Sequence, residues 1–365
     1  MACSWEDLAG AALARQFPDA PADVAGRIAQ IGPIQSQTAR SPFLALGARF
    51  PGTTRAEVTT AYESGTIVRG STIRGTVHTA TPEQYAALGV ATRVGQRTLW
   101  NRMLGLERSE LEDLWDAIEE FAGSWRTTDD LQNHLHEWLL AHEGRDEVTG
   151  QQAGRYLAFG HGGLVRRPIN GDWSGQGAPE YRTLRPTVVV SIGDAIEQHL
   201  GSHGPASRHD VAWWSGLGLR VVDEHLAELD ARVGLVTAEG PDGRTYLDLP
   251  DPPTPRGLSG VRLLPEFDAL LCGYDPKARD RFVTPEHHRR LWNGANGLVL
   301  PPLLVDGRIT GYWRATGTAR RRPLEVVWFA RTRRPRKAEL DEPVAALEAA
   351  LDISVTEVTV TRAQV

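Results

Sequence analysis

The stretch 204–229, GPASRHDVAWWSGLGLRVVDEHLAEL, decides how the rest of the chain is read. Ser207 precedes an apolar-periodic run, where its hydroxyl is placed to accept from a first-turn N–H, and predicts a short helix to Trp214. Ser215-Gly216-Leu217-Gly218 interrupts that helix, and a second follows to Leu229. A short glycine-containing turn between two helices is the helix-turn-helix signature. The next residues, GLVTAEGPDGRTYLDL (234–249), read as two strands around Pro241-Asp242-Gly243. Helix, helix, hairpin is the order of a winged helix, whose second helix usually meets DNA. Here that helix carries Arg220, His225 and Arg232 but also Asp223, Glu224, Glu228 and Asp230, a poor match to phosphate, so a scaffold role stands beside the DNA-binding one.

The order recurs upstream. Residues 127–140, TTDDLQNHLHEWLL, predict a helix; a second runs from about 149 to 159; GGLVRRPIN and YRTL read as strands around a glycine-rich turn. Farther upstream, 4–49 reads as two helices and a break, and 54–64 as a helix capped by Thr53 or Thr54. TIVRGSTIRGTVHTA (66–80) reads as short strands joined by a tight turn. In 81–104, Thr81, Pro82 and Glu83 start a helix. After the linker DPPTPRG, three strand-rich segments follow, with Asp306-Gly307 as a hairpin turn and Asp268 of PEFDALL fixing a turn. A helix (337–352) and a terminal strand (353–363) close the chain. The expected class is α+β, with working divisions at 1–120, 121–190, 191–252 and 258–365, the last an antiparallel β domain.

Composition narrows the function. With 41% hydrophobic and 24% charged residues in 365, the chain is an ordinary globular one. Cys3 and Cys272 are far apart and offer neither metal spacing nor a disulfide framework, which fits a reducing, cytoplasmic setting. The first residues read as a helix rather than a signal peptide, and no apolar run approaches a membrane span. No heptads appear, so a monomer is expected. The pairs His134/His136 and His287/His288 lack partners at zinc spacing, and no phosphate loop occurs; neither metal nor cofactor is expected. Net charge is −6, yet 300–337 holds ten Lys/Arg against Asp306 and Glu325. Local stripes set a phosphate footprint, which makes Arg314, Arg320, Arg321 and Arg322 candidates for backbone binding. Arg69, Arg74 and His78, in the first hairpin, are further candidates to contact DNA. Trp213-Trp214 reads as core.

The segment RIAQIGPIQSQTARSPFLALGARF (27–50) places Gln35 and Gln37, one residue apart, between apolar runs broken by Gly32-Pro33. A glutamine amide both donates and accepts, and is unfavourable to bury unpartnered. The pair either caps the turn or holds something that is not protein.

Five segments, IGPIQSQTARSPFLALGARF, IRGTVHTATPEQY, GPASRHDVAWWSGLGL, LLPEFDALLCGY and NGLVLPPLLVDGRITGYWR, together resemble the winged-helix DNA glycosylases of the AlkZ and YcaQ type. The resemblance implies tandem winged-helix motifs in a C-shape around a DNA channel. It also implies a catalytic Gln-x-Gln or Gln-x-Asp motif, here Gln35-Ser36-Gln37. The Gln-x-Gln form goes with excision of bulky adducts from guanine N7, interstrand crosslinks included. The middle residue is commonly apolar in such enzymes, and Ser36 departs from that.

The chemistry stands without the family. Alkylation at N7 makes guanine a cationic leaving group, so the base departs neutral and needs little acid assistance. What remains is to position water at C1′ and to stabilise an oxocarbenium-like sugar. A glutamine oxygen does both weakly, by dipole and hydrogen bond. The implied partner is double-stranded DNA carrying alkylated guanine. The competing reading is a non-enzymatic winged-helix DNA-binding protein or regulator.

Overall fold

A computed structural model describes residues 2–19, 23–145, 159–293, 297–317 and 319–364. The helix expected over about 149–159 falls almost wholly outside them. Side-chain caps set most helix starts. Thr54, Thr81, Thr127, Ser191 and Ser207 each accept from the N–H three residues on, while the residue there returns a bond to the cap's own N–H. Residues 4–49 hold three helices rather than two, Trp5–Gln16, Val24–Ile31 and Ser41–Arg49.

The sheets organise the molecule. β1 (Ile34–Gln35), β2 (Val68–Ser71), β3 (Val77–Ala80), β4 (Arg126–Thr127), β5 (Leu164–Pro168) and β6 (Pro179–Thr183) form one six-stranded sheet, ordered β1-β3-β2-β5-β6-β4. The hairpins β2–β3 and β5–β6, far apart in sequence, join through Gly70 and Val165. Gly70 is required there: a Cβ would stand 2.0 Å from Tyr85 Oη and 2.5 Å from the Leu164 carbonyl. Helix Ile192–His203 leads into β7 (Ala206–Ser207), helix Arg208–Ser215, helix Leu219–Val233 and the hairpin β8 (Val236–Glu239) and β9 (Thr245–Asp248), with β7 pairing β9. This is the expected order, with Gly216 at φ +76° ending the first helix of the turn. Its core is Val211, Trp214, Val222, Leu226 and Leu229 against Ala87, Leu88 and Ala91 of helix Pro82–Gly95. Trp213 is a correction: it is 41% exposed, not core.

The last third holds β10 (Val261–Leu263), the short pair β11 (Trp292–Asn293) and β12 (Leu298–Val299), then β13 (Pro302–Val305), β14 (Arg308–Ala315), β15 (Arg321–Trp328) and β16 (Ser354–Arg362). Asp306 and Gly307, both at positive φ, turn β13 into β14 as expected. The sheet β10-β13-β14-β15-β16 departs from the expectation at its edge, because β16 runs parallel to β15. Parallel pairing needs a crossover connection. Helix Asp341–Leu351 supplies it and packs Leu347 and Leu351 on the same core as Leu324, Val326 and Val358.

Candidate active site

Gln35 ends β1, a strand at one edge of the six-stranded sheet, and Gln37 lies in the bend two residues beyond it. Helix Val24–Ile31 ends at Gly32, whose φ of +84° turns the chain and whose bare Cα lets Ser202 approach; a Cβ would meet Ser202 Oγ at 2.6 Å. The backbone closes this break itself, Gly32 N donating to the Ile28 carbonyl at 2.9 Å. β1 then pairs β3, setting Gln35 opposite His78. Neither glutamine caps the break. Gln35 Oε1 accepts from Arg74 Nη2 at 3.0 Å, and Gln37 Oε1 from Val77 N at 3.3 Å. Gln35 is half-buried and Gln37 exposed.

Ser36, between them, is fully buried and fully used. Its N–H donates to the Val77 carbonyl at 2.6 Å, its hydroxyl to the Ile34 carbonyl at 2.8 Å, and it shares a hydrogen bond with Thr79 Oγ1 at 2.8 Å. Thr79 continues to Tyr62 Oη at 2.6 Å, and Arg69 Nη2 donates to that phenol at 2.9 Å. The hydroxyl at the middle position of the motif is thus supplied with partners.

Arg69, expected at a phosphate, lies inside the protein. It is 3% exposed, donates also to the carbonyls of Trp173 and Ala39 at 3.0 Å, and stacks over Tyr62 and Trp173. Arg74 sits in the left-handed region at φ +56°. Its guanidinium bridges the Gln35 oxygen and the Trp214 carbonyl, tying the helix-turn-helix unit to the motif. His78 is 2% exposed; Nδ1 meets Thr72 Oγ1 at 2.8 Å, and burial, with the charge of Arg74 second, pushes its pKa down from 6.5 to about 3. It is a neutral imidazole at physiological pH.

Gln35, Arg74, His78, His203, Trp214 and Cys272 line a cavity of about 30 Å³, room for water but not for a base. Burial holds His203 down at about 3 and the Cys272 thiol up at about 11, so these groups are neutral. The cavity's floor is the buried pair Arg49–Asp268, 2.9 and 3.0 Å, with Arg49 also donating to Gln16. Asp268 does fix a turn, accepting from Leu270 N at 3.0 Å, but its ion pair to Arg49 had no signal in sequence. Neither did His203, which lies 125 residues beyond His78 in the chain (203 − 78). The four C-terminal arginines do not line this cavity. Arg314 is exposed over the Tyr312 ring, Arg320 is paired with Asp352, Arg321 is exposed on β15, and Arg322 donates to the Ala319 carbonyl. Among the described residues no group of three or more His, Cys, Asp or Glu is placed to hold a metal, and no helix is long and apolar enough to cross a membrane.

A family model described as DNA glycosylase AlkZ-like matches residues 28–350. The chain belongs to the AlkZ-like DNA glycosylase family. It is 25% identical over 350 residues to an interstrand DNA cross-link repair glycosylase of Streptomyces sahachiroi, covering 86% of this chain and 88% of the relative. The solved structure of Streptomyces sahachiroi DNA glycosylase AlkZ superimposes with a TM-score of 0.80 at 19% identity, over 99% of this chain and 100% of that one, which shows a shared fold. The enzyme is therefore a DNA glycosylase.

Proposed function

We propose that this glycosylase hydrolyses the N-glycosidic bond of bulky N7-alkylguanine in double-stranded DNA and leaves an abasic site. Crosslinked guanines are within its range, as the name of the Streptomyces sahachiroi relative suggests. We read the helix, turn, helix and hairpin units as tandem winged helices in a C-shape around the duplex. The observation that carries this is the Gln35 amide in a water-sized cavity with no free acid: Gln35 and, just beyond the lining, Gln37 offer amide oxygens, His78 and His203 are uncharged, Asp268 is paired with Arg49, and no lysine lines the space.

Such a site holds water and the negative end of a dipole toward a sugar cation, but supplies no strong acid. It suits a base that already carries positive charge. The absence of a lysine from the lining fits a monofunctional enzyme, since a lyase needs an amine to form a Schiff base. Gln37, exposed and weakly held, is the residue we place on the attacking water; Gln35, gripped by Arg74, faces the sugar.

The test is single-turnover excision. Duplexes bearing one N7-methylguanine or one bulky N7 adduct are treated with wild type and with Gln35→Ala/Gln37→Ala, then cleaved at abasic sites. Breaks with wild type that vanish with a folded double variant support the reading. Binding without breaks on either substrate would return the chain to the regulator reading.

A further inference from the structure

A second site lies on the same sheet. β2 and β5 meet through Gly70 and Val165, and toward Val68 and Arg167 a cleft of about 470 Å³ opens beside them. Arg69 and Arg166 both line it. Arg69 is almost wholly buried, donates only to neutral oxygens, and its Nε has no partner. Arg166 is half-buried and bonded to the Tyr181 phenol; burial first, then the charge of Arg69, pulls its pKa down against the phenol's opposite effect. At the mouth, Arg167 and Arg182 hold their guanidinium carbons 4.2 and 4.8 Å from the Trp125 ring. Arg167 is paired with Glu180. Among the described residues, no ion pair to a carboxylate is formed by Arg69, Arg166 or Arg182. Buried charges are normally paired, because an uncompensated one is unfavourable. Glu63 and Glu180 are the carboxylates in its lining against four arginines, which leaves the cleft short of negative charge.

We propose that this cleft binds the phosphodiester backbone of DNA flanking the lesion. Guanidinium forks match phosphate oxygens two at a time, and the enzyme's substrate class is a polyanion. The flat indole of Trp125 holds two of the forks at the surface. Arg166, on β5, stands three strand spacings from the strand of Gln35, roughly 14 Å at ~4.8 Å per strand. That is about four base pairs of B-DNA, too far to serve the damaged nucleotide itself. Arg166 and Arg182 take the phosphates, and Arg69 supplies fixed charge beneath them. The chain Arg69–Tyr62–Thr79–Ser36 connects this floor to the residue between the two glutamines. The assignment rests on the reading above that the substrate is duplex DNA.

The experiment measures affinity of the full chain for a 30-base-pair duplex against salt concentration, with wild type and Arg166→Gln/Arg182→Gln. The slope of log K on log [salt] falls by about 0.9 for each lost phosphate contact. The double variant is expected to show a slope shallower by about two and at least tenfold weaker binding at 0.1 M salt. Unchanged slope and affinity in a variant that melts like wild type overturn the proposal. If the double variant does not fold, the exposed Arg182→Gln alone decides, with a slope change of about one expected and no change overturning. Excision by wild type with an unaltered slope sinks the cleft alone. Cleft-dependent binding without excision sinks the glycosylase substrate instead, and no DNA binding by wild type sinks both.

Discussion

Arg74 is the residue on which the motif's geometry turns. A glutamine amide is free to flip end for end, and a cation 3.0 Å from Oε1 fixes the oxygen toward the arginine. The bridge to the Trp214 carbonyl fixes the arginine in turn. On the reading proposed above, Arg74 acts through Gln35 rather than on a phosphate. Arg74→Ala is expected to lower the single-turnover excision rate at least about tenfold, because loss of orientation is felt in the barrier, with the salt dependence of DNA binding unchanged. Arg74→Lys should restore part of the rate, since an ammonium reaches one acceptor but not both in a fixed fork. A rate equal to wild type in Arg74→Ala, or a slope reduced by one, would show that Arg74 does not position Gln35.

At the scale of elements, the six-stranded sheet is one structure built by two distant hairpins. The seam is Gly70 against Val165, under the Tyr85 hydroxyl, which donates to the Ser71 and Leu164 carbonyls. Gly70→Ala pushes a methyl group into that hydroxyl and into the Leu164 carbonyl, so a main-chain shift is unavoidable. We expect a loss of about 1–3 kcal/mol or more, measured by urea unfolding. A neutral effect would mean the hairpins are not held at this distance. Helix Leu219–Val233 shows the opposite case, an element whose charges are paired within itself and with its neighbouring helices. Arg220, Arg232 and His225 each pair with a carboxylate, as does Arg208 with Asp223. The scaffold reading of this helix, rather than phosphate binding, accords with those pairs.

The whole molecule buries several histidines as neutral rings. His78 and His203 are pushed down to about 3 and His199 well below its ordinary value, each chiefly by burial. In the unfolded chain they take up protons near pH 6.5. A depressed folded-state pKa gives stability that is intact above the unfolded value and is lost as pH falls toward the folded one. Stability should therefore be level above about pH 7 and drop between pH 6.5 and 3, on the order of 2 kcal/mol for each of His78 and His203 by pH 5, with His199 acting in the same direction. Denaturant unfolding at pH 7.5 and 5.0 checks this, and equal stabilities would mean that the histidines are hydrated or paired in the fold. The buried pairs Arg49–Asp268, Arg15–Asp248 and Arg281–Asp210 hold the parts of the chain together across long sequence separations.

By itself the sequence determined the local structure and the chemistry on offer. Capping residues, helix breaks and hairpin turns such as Ser207, Gly216 and Asp306-Gly307 act through hydrogen bonds or backbone angles a few residues away, so they are legible one window at a time. Gln35 and Gln37 were legible for the same reason, as polar side chains out of place between apolar runs. Only the tertiary structure decided which side chains meet. Arg69 and Arg74 look alike in the hairpin RGSTIRG, yet one is sunk beneath Tyr62 and Trp173 and the other reaches Gln35. The parallel edge strand β16, the exposed Trp213, the Arg49–Asp268 floor and the arginine cleft all depend on segments more than 20 residues apart in the chain. Burial and charge pairing at such range are properties of packing, and no local pattern encodes them.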